Sequence, residues 1–283
     1  MADLVPQERR LTAFALLRLA GNGGFALGTS AGGLLVTLSP FWLFAGNSLT
    51  TLAYGVLALI ALPHGIRQAK GEAKWMDAIR RLRRDGAFWA LAFSQFGVAF
   101  VFAQYTAAYA LEVTRRGIDF ALGGWSLAPE QIYGALIGWN GLLIVFLELP
   151  LTRLTRTLQT RRVMAAGYVL VGLGFASNIL DAGFGLLAAG MTLFTIGEMF
   201  VMPMVGTWIS QIAPLHMRGR YMGALAAAWA VGSVVGQNAG LRIFAFSPDA
   251  LWILCALVGA ASALTIVRFG RRGDSMGSSN ALP

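Results

Sequence analysis

The chain has few charged residues, one cysteine and two histidines, and each scarcity excludes a class of protein. Only 12% of the 283 residues are charged, whereas a soluble domain has about 25%. Cys255 has no second cysteine with which to form a disulfide or a metal site. His64 and His216 fall in predicted loops, and the sequence contains no HExxH or GxSxG motif. These scarcities exclude a soluble globule, argue against an intramembrane enzyme and imply neither a metal nor a cofactor.

Long apolar runs take the place of the missing charges, since 57% of the residues are hydrophobic. A helix needs roughly 20 apolar residues to cross a bilayer, and helices satisfy their own backbone hydrogen bonds in lipid. We therefore predict an all-α membrane protein, a polytopic bundle of eight transmembrane helices. The predicted spans are 11–37, 41–63, 87–111, 131–151, 163–180, 183–212, 221–246 and 251–268.

The basic residues predict the orientation of these spans. All but four of the 22 Lys and Arg residues lie before the first span or in every second loop after it, up to the last span and the tail. Arg115 and Arg116 lie in an opposite loop, whereas Arg18 and Arg242 lie inside spans. Because loops rich in Lys and Arg stay in the cytoplasm, we predict a multi-pass protein of the inner cell membrane with both termini cytoplasmic. This distribution also argues against a nucleic-acid partner.

The predicted domain organisation follows from one long basic connection. Segment 64–86 has apolar residues near one helical face and a cluster of arginines, so it is either an amphipathic helix on anionic lipid or a basic linker. It separates a two-helix piece, 1–63, from a six-helix piece, 87–270, and a flexible tail, 271–283, follows. We expect a monomer.

A pattern near the start of the chain recurs after residue 213. In both copies a Pro and an Arg precede an apolar run with three glycines at intervals of four. The matching pairs are Pro6/Pro214, Arg10/Arg218, Leu17/Leu225, Ala20/Ala228, Gly24/Gly232, Gly28/Gly236, Ala31/Ala239 and Gly32/Gly240. Internal repeats of this kind build several transporter folds. Because four spans precede the second copy, the repeat predicts four further helices upstream of the first.

The glycine pattern, the basic linker and the cytoplasmic anchoring of both pieces together resemble the Major Facilitator Superfamily. The run from Gly24 to Gly33 is similar to the fifth-helix signature of its drug:proton antiporter branch, although Thr29 stands where that signature has Pro. Stretches around Glu198 and Pro214 are similar to the tenth and eleventh helices of multidrug-efflux members. Of the family's basic loop motif, only Arg161 and Arg162 remain. The resemblance implies helices five to twelve of a twelve-helix fold.

Glu198 is the strongest candidate for chemistry, because acidic residues are costly within lipid and usually face a cavity or a partner. It shares a narrow helical arc with Met191, Thr195 and Met202. Burial disfavours the charged form of a carboxyl group, so such a group can take up and release a proton. A structural ion pair is the alternative.

The span 87–111 has a second candidate face. Gln95, Phe102, Tyr105 and Tyr109 lie within about 80° of helical arc, and the resemblance places this helix beside the central cavity. Trp139 and Asn140 form a weaker candidate pair. A plain helix–helix interface has the same composition, so both interpretations stay open.

Other residues are predicted to be structural. We expect Glu148 to pair with the Arg153 cluster or with Arg218, and Glu112 to be solvated at the outer end of its span. We expect Arg18 and Arg242 to extend toward opposite membrane surfaces. The small residues of the two repeats, Gly24, Gly28, Gly32, Gly232, Gly236 and Gly240, are expected to pack helices closely.

The resemblance therefore implies a secondary active transporter of a small molecule, with proton-coupled efflux of amphipathic compounds or drugs as the leading hypothesis. Proton-coupled uptake of a peptide or another nutrient is the alternative within transport. A non-transporting remnant of a longer protein is a further alternative.

Overall fold

The structure is a computed structural model that describes residues 5–6, 9–61, 75–118, 120–122, 125–180 and 183–269. Its helices are α1 (Arg10–Leu38), α2 (Pro40–Ala61), α3 (Trp75–Arg84), α4 (Gly86–Thr106), α5 (Ala108–Arg116), α6 (Pro129–Thr155), α7 (Thr160–Ala176), α8 (Phe184–Ile212), α9 (Arg218–Phe246) and α10 (Pro248–Phe269). The predicted all-α class is confirmed. A short antiparallel hairpin of β1 (Phe120–Leu122) and β2 (Trp125–Leu127) adds to it.

Most of the predicted spans coincide with a long helix. Five segments of the described chain are long and apolar enough to cross a membrane: Gly86–Thr106, Gln131–Thr155, Thr160–Ile179, Phe184–Ile212 and Pro248–Phe269. The apolar part of α2 is shorter, Phe44–Ile60, while α1 and α9 contain more glycine and polar residues. Membrane crossing by α1, α2 and α9 stays a prediction.

The third predicted span, 87–111, is interrupted in the structure. The chain leaves α4 at Ala107 and resumes as α5, and Gly117 directly after α5 lies in the left-handed region with φ 55°. Helix α5 buries Tyr109 and Val113 but exposes Arg115. One exposed polar side and one buried apolar side are typical of a helix that caps a bundle rather than crossing lipid.

The described chain divides into two compact units, 20–72 and the combination of 1–19 with 73–283. The first unit exposes large apolar side chains, including Phe44 at 70% and Leu59 at 86%. The first turns of α1 belong to the larger unit, and the predicted domain boundaries at the linker stay a prediction. Phe14 lies against Gly206, and Arg18 pairs with two acids described below.

The larger unit is held by close helix contacts. A Cβ atom on Gly167 would lie 2.8 Å from the carbonyl oxygen of Gly197, and one on Gly236 would lie 2.7 Å from that of Phe100. Only glycine allows α7 to approach α8, and α9 to approach α4, this closely. Because Gly197 precedes Glu198, this contact also fixes the backbone that bears the strongest candidate residue.

The linker segment contributes α3, whereas residues 62–74 lie outside the described part of the chain, as do the predicted tail residues 271–283. Leu82 packs against the core, and Ile79 and Arg84 are exposed. Asp85 accepts hydrogen bonds from the Phe88 amide, at 3.1 Å, and from the Tyr221 hydroxyl, at 2.9 Å. The end of the linker is thereby attached to α4 and α9.

Candidate functional site

One arginine binds two buried acids in the larger unit. The Arg18 guanidinium in α1 donates to Glu148 Oε2 of α6 at 2.7 Å, and its second amino group lies 2.6 Å from Glu198 Oε1 of α8. The Glu148 side chain is fully buried, and that of Glu198 is 9% exposed. We call these three residues the Arg18 cluster. It joins three helices through charge.

Asn140, which lies on α6 like Glu148, connects the Arg18 cluster to a fourth helix, α4. Its amide nitrogen donates to Glu198 Oε2 at 3.2 Å and to the Thr195 hydroxyl at 2.9 Å. The Tyr105 hydroxyl of α4 donates to Asn140 Oδ1 at 3.3 Å. A continuous line of hydrogen-bonding groups therefore runs from Arg18 through Glu198 and Asn140 to Tyr105.

The charges of the Arg18 cluster do not balance when both acids are ionised. One guanidinium then faces two carboxylates, and an uncompensated charge is costly in a buried place. Glu148 Oε1 is buried and accepts no hydrogen bond from any residue that the structure describes. A proton bound by one of the two carboxyl groups would neutralise the excess, so the arrangement is suited to binding and releasing a proton.

The residues predicted to share one helical face with Glu198 have different surroundings in the structure. Thr195 is fully buried and bonded to Asn140, as well as to the Met191 carbonyl at 2.7 Å. Met191 is buried, and Met202 is half-buried. Thr195 thus belongs to the hydrogen-bonded line, and Met191 packs in the core.

The predicted face of 87–111 is also divided. Phe102 and Tyr105 lie against Phe194 of α8, with ring centroids 4.9 Å and 5.7 Å away. The Gln95 amide instead donates to the Tyr168 hydroxyl at 3.0 Å, inside the contact between α4 and α7. Tyr109 lies in α5, beyond the break, and packs edge-on against Phe175. Of these four residues, Tyr105 is the one that bonds to the Arg18 cluster's neighbour Asn140, and Phe102 packs on the same Phe194 ring as Tyr105.

Two expectations about charged residues need correction. Glu148 binds Arg18; by contrast, Arg218 donates to the Ser210 carbonyl at 3.0 Å, and Arg153 is exposed at the end of α6. Arg18 does not simply extend toward water, because two acids on neighbouring helices bind it. One feature of the sequence could have indicated this role of Arg18. The second copy of the repeat has Ala226 at the matching position, so the arginine is not part of the shared pattern.

Glu112 is not solvated, which corrects a third expectation. Its side chain is fully buried, and its oxygens accept from Arg115 at 2.7 Å and from Arg116 at 2.7 Å. Arg116 also donates to the Asn178 carbonyl. We call Glu112, Arg115 and Arg116 the Glu112 cluster. It attaches α5 to the end of α7.

The two glycine patterns have different surroundings. Gly232 and Gly236 lie against the α4 backbone, and Gly240 lies against the Gln104 side chain. A Cβ atom on Gly24 or Gly28 would meet nothing within 4 Å among the described residues. The side chain position of Gly32 lies outside the described part.

No group of three or more His, Cys, Asp or Glu residues that could hold a metal ion occurs in the described chain. The side chains near the Arg18 cluster are acidic, amide, hydroxyl and aromatic. They can bind protons, cations or hydrogen-bonding ligands.

Comparison with known proteins gives a consistent family. The sequence model of the Major Facilitator Superfamily matches residues 1–132 and 128–281. The uncharacterised MFS-type transporter YhjO of Bacillus subtilis (strain 168) is 23% identical over 91% of this chain and 62% of its own length. The uncharacterised MFS-type transporter YdeE of Escherichia coli (strain K12) is 25% identical over 91% of this chain and 64% of its own.

A third relative has a described activity. The Na(+), Li(+), K(+)/H(+) antiporter of Planococcus maritimus is 29% identical over 42% of this chain and 28% of its own length. The chain thus spans less than two thirds of each of these relatives.

Proposed function

Because the chain belongs to the Major Facilitator Superfamily, whose members are multi-pass membrane transporters rather than enzymes, we propose that it serves secondary active transport of a small molecule coupled to protons. The observation on which this rests is the Arg18 cluster, one buried guanidinium between two buried carboxyl groups. We propose export of amphipathic compounds as the direction. The resemblance to the drug:proton antiporter branch supports it.

Proton binding would change the contacts of Arg18. With both acids ionised, the guanidinium is attracted to α6 and α8 together. A proton on Glu148 or Glu198 removes one of these attractions and lets α1 separate from one of the two helices. Because transporters of this kind rock about a site between repeats, the cluster couples protonation to that motion.

The substrate would bind beside the same line of polar groups. Phe102 and Tyr105 are half-buried aromatic residues, and Phe102 lies 5.5 Å from the Trp229 ring. Asn140 accepts from the Tyr105 hydroxyl and donates to Glu198, so an amide and a carboxyl group follow Tyr105 in the hydrogen-bonded line. Met202 adds a polarizable side chain nearby in sequence. Aromatic and soft surfaces with a few polar groups suit amphipathic ligands, including cations.

Exchange of a monovalent metal cation for protons is a second candidate. The printed activity of the Planococcus maritimus relative favours it. Carboxylate, amide and hydroxyl oxygens, such as those of Glu198, Asn140 and Thr195, are ligands for hard cations.

The test is transport in proteoliposomes with an imposed pH gradient. Addition of Na⁺ or K⁺ in one arm, and of a lipophilic organic cation in another, distinguishes the two substrate classes by which addition dissipates the gradient. We expect Glu198→Gln and Glu148→Gln each to abolish gradient-driven transport while the protein stays folded. Glu112→Gln is the matched control, because it removes a buried, ion-paired acid outside the Arg18 cluster.

Normal transport by Glu198→Gln would disprove its role, whereas failure of that variant to fold would show that Glu198 is a structural partner. Robust transport by purified residues 1–283 would contradict two ideas: that four further helices are needed for transport, and that the chain is a non-transporting remnant.

We further propose the topology that the basic residues predict, with both termini in the cytoplasm, α3 on anionic lipid at that surface and a monomeric protein. Cysteine labelling from outside should reach positions 115–125 and miss positions 70–84. Labelling of positions 70–84 from outside would show that the protein has the opposite orientation. Light scattering in detergent measures the oligomeric state.

A further inference from the structure

A groove runs along the outer surface between α7 and α10, away from the Arg18 cluster. It has a volume of about 570 Å³, and apolar side chains line it, among them Ala166, Val169, Leu264 and Val267. Leu264 is 63% exposed, and Val267 is 43% exposed. In a membrane protein, an apolar surface slot of this kind lies open to lipid chains.

One end of the groove is basic. Arg162 comes before Ala166 and Val169 by four and seven residues, so it lies on the same face of α7. Arg268 follows Leu264 by four residues and extends the same face of α10. Both arginines are exposed. Arg162 lies three residues before the first lining residue of α7, and Arg268 directly follows the last lining residue of α10.

A hydrogen bond fixes the two helix ends beside each other. The Arg161 guanidinium in α7 donates to the Val267 carbonyl of α10 at 3.2 Å. The first turn of α7 has no acidic residue, and Gln159 before it makes no side-chain cap. Arg161, Arg162 and Arg268 therefore belong to two helix ends that lie side by side, one of which is the positive end of a 17-residue helix.

We propose that this groove binds one anionic phospholipid, with its phosphodiester at Arg162 and Arg268 and an acyl chain along Val169 and Leu264. The planar guanidinium matches phosphate oxygens in geometry and charge. Apolar contact along the groove holds the chain, and basic pockets between membrane helices recognise anionic headgroups. The site is distinct from α3 and goes beyond the proposed transport function.

The test is native mass spectrometry of the full chain, purified in detergent with equal amounts of phosphatidylglycerol and phosphatidylcholine of identical chains. The wild-type protein should retain one phosphatidylglycerol in preference to phosphatidylcholine. Arg162→Gln/Arg268→Gln should lower that retention about tenfold or more, since each arginine near a headgroup adds measurable attraction. Ala166→Phe, which fills the groove and leaves every charge in place, should lower it as well.

The matched control is Arg83→Gln/Arg84→Gln, which removes two exposed arginines from α3 instead. Retention should survive in this control. Equal loss in the control and the groove variant would show nonspecific charge attraction, and loss in the control alone would place the lipid at α3. Either of these two results would overturn the proposal. So would unchanged retention in the groove double variant or in Ala166→Phe, and so would equal retention of the two lipids by the wild type.

Discussion

The Arg18 cluster and the Glu112 cluster have opposite compositions. The first places one arginine between two buried acids, Glu148 and Glu198. The second places one buried acid between two arginines, Arg115 and Arg116. Arginine does not release its proton in proteins, whereas a carboxyl group can bind one. A proton on a carboxyl group of the Arg18 cluster would therefore remove surplus negative charge, whereas a proton on Glu112 would leave two arginines without an acidic partner.

The clusters also differ in what they hold together. Arg115 and Arg116 lie three and four residues after Glu112 on the same short helix. The partners of Arg18 come from two other helices, one of them 130 residues away. Protonation in the Glu112 cluster would loosen a local cap, while protonation in the Arg18 cluster would loosen a contact between long helices.

Removal of Arg18 should have the largest effect on stability. Arg18→Gln leaves Glu148 and Glu198 buried together without a cation, which is expected to cost about 3 to 5 kcal/mol. The midpoint of thermal unfolding in detergent measures the loss. The double variant Arg18→Gln/Glu148→Gln should recover much of it, because it also removes one of the unpaired acids. A single variant as stable as wild type would show that the cluster contributes nothing to folding.

Glu112→Gln should have a smaller effect, about 1 to 3 kcal/mol. Arg115 is 47% exposed, so water replaces part of its lost partner, and Arg116 keeps the Asn178 carbonyl. Thermal unfolding at neutral pH gives the size of the loss.

The same variant should show a defined pH dependence. Burial alone would raise the pKa of the Glu112 carboxyl, but the hydrogen bonds and charges of Arg115 and Arg116 outweigh it and lower the pKa below its ordinary value. A lowered pKa means that the ionised form stabilises the folded state above the unfolded pKa, and that this stability is lost as the pH falls through the folded pKa. The difference between wild type and Glu112→Gln should be constant from pH 6 to 8 and narrow below about pH 4.3. A difference that narrows already near neutral pH would contradict this assignment.

Glu198→Gln should change stability by no more than about 1 kcal/mol, although it abolishes coupled transport. The variant removes the surplus acid and leaves Arg18 paired with Glu148, so no uncompensated charge is created. Unfolding and transport are measured on the same preparation. If Glu198→Gln lost as much stability as Arg18→Gln, Glu198 would be a structural partner, and the Arg18 cluster, like the Glu112 cluster, would serve to hold helices together.

Arg115→Gln should have the smallest effect, about 0.2 to 1 kcal/mol, because ion pairs with exposed partners contribute little. Glu112 keeps its bond to the buried Arg116 side chain. The thermal midpoint again reports the change. A loss equal to that of Glu112→Gln would mean that Arg115 is the essential partner.

Part of this architecture was predictable from sequence. Most long helices coincide with predicted spans, because lipid requires long apolar runs and backbone bonds within each run. The break at Ala107 was not predicted. Glu198, Asn140, Thr195 and Tyr105 were each candidates on the basis of residue type. That they form one hydrogen-bonded line was not predictable, since helical periodicity orders residues within a helix and not between helices.

The sequence by itself determined that this protein lies in lipid, where its long helices are, and which family it resembles. The length of the apolar runs, the spacing of the glycines and the family motifs are all local properties of the chain. It also contained the spacing of Glu112 from Arg115 and Arg116, although the buried state of that acid appeared only in the fold. Tertiary structure alone decided that Arg18 meets Glu148 and Glu198. A buried charge takes whichever partner the packing of the helices brings within about 3 Å, and that packing depends on contacts along the whole chain.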